Sequence, residues 1–143
     1  MILTFMRKYR HVGLLILRVG IGAMFIMYGK SKMFDGPDTW KALGGTMKLF
    51  GITVYPVAWG FAAAFSEFVG GFLLILGLFT RPIVILMLGA MVVAATKHIM
   101  TPDEGFKAAM HAIEMGTVFL SIFFIGPGKY SVDKLIQKNE NQF

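Results

Sequence analysis

The amino-acid sequence predicts an all-α integral membrane protein, a four-helix bundle with a short amphipathic or re-entrant segment between its first two helices. Three observations carry that reading. Hydrophobic residues make up 56% of the 143 residues and charged ones only 15%, whereas a soluble domain carries about 25% charged residues to hydrate its surface. Four apolar stretches each approach the about 20 residues needed to cross about 30 Å of hydrocarbon. Phe, Met and Gly are abundant, at 14, 11 and 17 residues; the first two suit lipid contact and internal packing, and Gly is commoner in membrane helices than in soluble ones.

The chain is long enough for one domain, and residues 1–143 are read as a single membrane unit. The first span is expected over 11–33, the second over 56–79, the third over 82–100 and the fourth over 106–125. Pro56 and Pro82 stand at helix starts, where a missing N–H costs little. Gly126-Pro127-Gly128 ends the fourth span, because neither residue type continues a helix well. Met6-Arg7-Lys8-Tyr9-Arg10 ahead of an apolar run imitates a signal peptide, but that run is too long, contains Arg18 and lacks a small-x-small cleavage site. It reads as a retained first helix.

Between the first two spans, Gly36-Pro37-Asp38-Thr39 is turn and capping chemistry. Trp40, Leu43, Met47 and Phe50 follow at helical spacing, giving an amphipathic segment over 38–51 that lies in the interface or folds over the bundle mouth. Gly44-Gly45 weakens it, which leaves a broken or re-entrant form open. From 131 to 143 the chain is polar and is expected to fray.

The formal charge of +6 does not point to nucleic acid, because the basic residues mark the ends of apolar runs and no aromatic–basic binding motif accompanies them. Their partner is the lipid bilayer. The absence of Cys excludes disulfide relays, thiolate metal sites and Cys nucleophiles. Lys and Arg are nearly balanced between the two sides, so the tight N-terminal cluster decides the expected orientation, with both termini in the cytoplasm.

An ionisable group inside a membrane helix costs several kcal/mol unless paired, so each needs a reason. Arg18 lies two turns into the first span and Glu67 near the middle of the second. They are expected either to lock those helices together as an intramembrane ion pair or, for Glu67, to meet a ligand or proton as well. At about 1.5 Å per residue, Tyr28, Lys32, Lys97, His98, His111 and Glu114 fall in one half of the membrane. The expectation is a polar pocket open to that side, with Glu67 at its floor and Arg18 beneath. Glu67, His98, His111, Glu114, Tyr28 and Lys32 are the candidate ligand or proton residues. His111, Glu114, Thr117 and Ser121 share a face, and the two hydroxyls are expected to hydrogen-bond across helices. No metal site is expected, since the Glu-x-x-His pairs of di-iron bundles are missing. Gly60, Glu67 and Gly71 form one stripe, and Arg18, Gly22 and Gly29 another, which places both charges inside the bundle.

Leu17-Arg18-Val19-Gly20-Ile21-Gly22 with Tyr28-Gly29-Lys30-Ser31-Lys32 resembles the first helix of the DoxX family. Ser66-Glu67-Phe68-Val69-Gly70-Gly71 and Leu76-Gly77-Leu78-Phe79-Thr80-Arg81 resemble its second helix and turn, and Gly126 to Asp133 its closing segment. The resemblance implies a small four-helix protein of the bacterial cytoplasmic (inner) membrane, linked to redox metabolism; related members include the membrane subunit of a thiosulfate:quinone oxidoreductase. Arg18 and Glu67 match the family's recurrent intramembrane charges.

Three functions remain open. The first is a quinone- or redox-linked membrane subunit, with quinone as the non-covalent ligand and the enzyme role at most that of an oxidoreductase subunit. The second is a non-catalytic partner, as a homo-oligomer or with another membrane protein, that organises a larger complex. The third, a small-molecule or lipid carrier, is disfavoured by the absence of an internal repeat.

Overall fold

In a computed structural model describing residues 8–140, the helices are α1 (Arg10–Phe34), α2 (Pro37–Gly44), α3 (Pro56–Leu76), α4 (Thr80–Met100), α5 (Gly105–Ile125) and α6 (Val132–Glu140), with a 3-10 helix over Gly45–Phe50. Arg7 of the basic N-terminal run and residues 141–143 of the expected tail lie outside the described residues. Helices α1, α3, α4 and α5 are long and apolar enough to cross a membrane, as the sequence predicts. They pack in the order α1–α3–α4–α5. Phe25 meets Phe119 edge-to-face at 5.1 Å, which brings α1 against α5. The core between them is built from Leu74, Ile83, Val84, Met87 and Ile122 with those two rings.

Lipid offers no hydrophobic drive for helix association, so close contact must come from shape. A Cβ on Gly22 would stand 2.6 Å from the Gly71 carbonyl oxygen, and one on Gly71 would stand 2.6 Å from that of Gly22. Only glycine at both positions allows α1 and α3 to touch backbone to backbone. The same device seats the connecting segment: a Cβ on Gly44 would collide with the Pro56 carbonyl, and one on Gly60 with that of Trp40. Thus the segment breaks at Gly44-Gly45, as its composition suggests, but the break is also a packing site that holds α2 across the start of α3. The Trp40 indole donates to the Lys32 carbonyl at 2.9 Å, fixing α2 to the last turn of α1.

At the opposite end the structure corrects the expected boundaries. The second span stops at Leu76 rather than 79, because Gly77 turns left-handed (φ +66°) and the Leu78 N–H closes back on the Leu73 carbonyl at 3.0 Å. The third begins at Thr80 rather than Pro82, which then occupies a first-turn position whose N–H has no helical partner. The expected frayed tail is instead a helix. Ser131 caps it, its hydroxyl accepting the Lys134 N–H at 3.3 Å. The Asp133 carboxylate takes the Phe79 and Thr80 N–H groups at 2.8 and 2.9 Å, and the Asp133 N–H donates to the Gly77 carbonyl at 3.0 Å. Asp133 therefore caps α4 from a distant part of the chain, where Phe79 cannot cap it.

A Cβ on Gly77 would lie 2.5 Å from the Arg18 guanidinium and 2.6 Å from the Ser131 Cβ, at a φ that L side chains resist. Gly77→Ala is expected to lower stability by about 2–3 kcal/mol through strain and displacement together. An unchanged thermal midpoint in detergent would refute that.

Candidate functional site

Two intramembrane charges and one cleft define the site. Arg18, 1% exposed, does not pair with Glu67 as expected. Its Nε donates to the Leu74 carbonyl and its Nη2 to that of Ile75, both at 2.9 Å. Its Nη1 donates to the Pro127 and Tyr130 carbonyls. The physical reason is that the last-turn carbonyls of a helix lack intrahelical donors and carry the negative end of its dipole, so they can replace a carboxylate. Arg18 thus staples the end of α3 to the closing segment and takes no part in the cleft.

Glu67, the twelfth residue of the 21 in α3, lies near mid-span and is 6% exposed. Its partner is Lys32, whose Nζ donates to Oε2 at 2.6 Å. The lysine belongs to the last turn of α1 and reaches down along its own stem, as long cationic side chains do near helix ends.

This pair stands in the wall of a cleft of about 650 Å³ between α2 with the 3-10 helix, α3 and α4. Leu43, Met47, Trp59, Ile85, Leu86 and Val93 give it apolar walls. The small residues Ala62, Ala63, Gly89 and Ala90 leave its room, and a Cβ on Gly89 would meet nothing within 4 Å. Ser66 also contributes, its hydroxyl donating to the Ala63 carbonyl at 2.8 Å and keeping acceptor capacity. Lys97 and His98 stand toward the α2 end, where His98 Nδ1 pairs with the Glu104 carboxylate.

Of the six candidate residues, Lys32, Glu67 and His98 line the cleft; Tyr28, His111 and Glu114 do not. His111 and Glu114 are exposed, and the Tyr28 ring, 53% exposed, lies 5.8 Å from that of His111 on the outer α1–α5 surface. The buried stripe of α5 is Ala109, Ala112, Gly116, Phe119 and Ile122, which turns His111 and Glu114 outward. Thr117 and Ser121 do not bridge helices as expected: their hydroxyls donate to the Ile113 and Thr117 carbonyls of their own helix at 2.9 and 2.8 Å. Among the described residues no three His, Asp or Glu side chains gather around a point where a metal would bind. The sequence reading did not mark Ser66 and Trp59 as site residues; spacing of four from Glu67 back through Ala63 to Trp59 is the signal that marks that face.

The DoxX family model matches residues 13–100, which include Arg18, Glu67 and every residue that lines the cleft. The chain is 30% identical over 134 residues to the Bacillus subtilis (strain 168) protein named "Putative oxidoreductase CatD", covering 87% of this chain and 95% of that one. It is 31% identical over 135 residues to "Inner membrane protein YphA" of Escherichia coli (strain K12), covering 87% of this chain and 91% of that one. No solved structure matches.

Proposed function

The chain belongs to the DoxX family of multi-pass membrane proteins, and from that premise we propose that it is a quinone-binding, redox-linked subunit of the bacterial inner membrane, with both termini in the cytoplasm. The observation that carries this reading is the apolar cleft with the Lys32–Glu67 pair in its wall near mid-span. A quinone ring needs flat apolar walls and a hydrogen-bond donor for its oxygen. Lys32 commits one of its three N–H groups to Glu67 and has two left for a quinone oxygen. Reduction to the quinol takes up two electrons and two protons; a partner redox protein supplies the electrons and Glu67 passes protons. The names of the two relatives, "Putative oxidoreductase CatD" and "Inner membrane protein YphA", support the class and the location.

The test is quinone retention by protein purified from native membranes in mild detergent, read by mass spectrometry. Glu67→Gln keeps an oxygen for Lys32 but not the charge, and Gly89→Leu fills the cleft from a position that touches nothing. Both are expected to lose at least about 10-fold in retained quinone, equivalent to about 1.4 kcal/mol, and Gly89→Leu, at a position with open space around it, is expected to keep an unfolding midpoint near that of the parent. Full retention in Gly89→Leu would place the quinone elsewhere and sink the proposal.

A second reading, a non-catalytic partner within a larger complex, is favoured by Glu114. It is the tenth of 21 residues in α5 and exposed at mid-span, with no cation within ion-pair distance among the described residues. A carboxyl there is expensive against lipid and is relieved by a neighbouring helix. Stoichiometric co-purification of another membrane protein, lost in Glu114→Leu, would favour this reading.

A further inference from the structure

We propose that the end of the bundle where α1 begins carries a binding site for a phosphate-bearing anion at headgroup level. A second cleft, of about 750 Å³ and separate from the quinone cleft, opens there between the starts of α1 and α4, the end of α5, the closing segment and α6. Four cations from four different elements converge on it: Arg10 from α1, Arg81 from α4, Lys129 from the closing segment and Lys134 from α6.

The charge is not cancelled locally. Asp133 is the one carboxylate in the lining, and its two oxygens already accept the Phe79 and Thr80 N–H groups. Among the described residues none of the four cations lies within ion-pair distance of a carboxylate. At the other end of the bundle, by contrast, Lys32 is paired with Glu67, and Asp35, Asp38, Asp103 and Glu104 are interleaved with the remaining lysines. The unbalanced charge is therefore specific to this end. His11 lines the cleft as well, held in place by the Lys129 N–H donating to its Nδ1 at 3.4 Å.

Depth and polarity select the ligand class. Arg10 is the first residue of α1, Arg81 the second of α4 and Ile125 the last of α5, so the cleft straddles the level where hydrocarbon gives way to headgroups. Phe79 and Ile125, 62% and 65% exposed, offer an apolar flank beside the cations. Guanidinium and ammonium donors converging on one opening are the chemistry that holds phosphate, and an apolar flank accommodates the first part of an acyl chain. A phosphatidylglycerol-type lipid presents both; a free phosphoanion presents only the first.

The experiment uses the full chain exchanged into nanodiscs with equal phosphatidylglycerol and phosphatidylcholine, released into mild detergent, with retained lipid counted by native mass spectrometry. The parent is expected to retain phosphatidylglycerol selectively. Arg81→Gln/Lys134→Gln, both at exposed positions, is expected to lower that retention about 30-fold, at roughly 5-fold per cation. Lys30→Gln/Lys107→Gln, which removes the same charge from the other end, is expected to leave it unchanged. Added inorganic phosphate separates the sources. If it raises the unfolding midpoint in pure phosphatidylcholine nanodiscs, the site serves a free phosphoanion; if only phosphatidylglycerol does so, it serves a headgroup. No stabilisation by either, or equal loss of retention in both double variants, overturns the proposal.

Discussion

Arg18→Leu is expected to reduce the folded protein by about 3–5 kcal/mol, enough to deplete it from the membrane. The guanidinium is almost wholly buried and supplies donors to the Leu74, Ile75, Pro127 and Tyr130 carbonyls. Each buried acceptor that loses its donor costs about 1–3 kcal/mol, and bonds from a charged donor stand at the strong end of the range. Leu74 keeps the Gly77 N–H as a second donor, so its loss is partial. Total stabilities of about 5–15 kcal/mol leave little margin for such a change. Arg18→Lys keeps the charge but replaces a planar fork with a single ammonium that cannot reach carbonyls on both segments, so it should fall between the two. Thermal unfolding in detergent with the helical signal followed by circular dichroism decides it. A Leu variant as stable as the parent would mean that those carbonyls are satisfied without the guanidinium.

Breaking the Lys32–Glu67 pair from one side is expected to be worse than removing it whole. Lys32→Met leaves the Glu67 carboxylate at mid-span without its 2.6 Å partner, at a cost of about 2–3 kcal/mol. Lys32→Met/Glu67→Met puts apolar volume where the pair was and should recover most of that loss. The coupling read from the four unfolding midpoints is expected to exceed about 1 kcal/mol. Additive effects would show that the two groups do not sense each other and that the cleft wall is arranged differently in the membrane.

The spans were legible because length and apolarity leave a chain few options in lipid, and glycine spacing marked where α1 and α3 meet. Gly22 and Gly71 oppose each other as their stripes imply. The partner of Arg18 was not legible. A buried cation is ordinarily matched with a carboxylate, whereas here it takes carbonyls 56 to 112 residues away, two at the end of α3 and two in the closing segment, which sequence spacing does not bring together. The direction of His111 and Glu114 failed for another reason. The polar residues of the span are expected to face inward, whereas the small-residue stripe Ala109, Ala112 and Gly116 carries the inward phase and turns them out. Depth along the helix places residues in one layer of the membrane; rotation about it decides whether they meet.

Arg18 also sets an order of events for the nascent chain. It enters the bilayer within α1, ahead of α3, α4 and α5, yet two of its four acceptors belong to residues 127 and 130. Until those residues have been synthesised, a membrane-inserted guanidinium lacks half of its final ligands. The early helices must be held together, or beside water, during elongation, and a chain cut short before residue 127 keeps an unsatisfied cation in its first span. Such a truncated product carries its own mark of incompleteness, and membrane quality control that recognises exposed intramembrane charge would remove it while sparing the finished bundle.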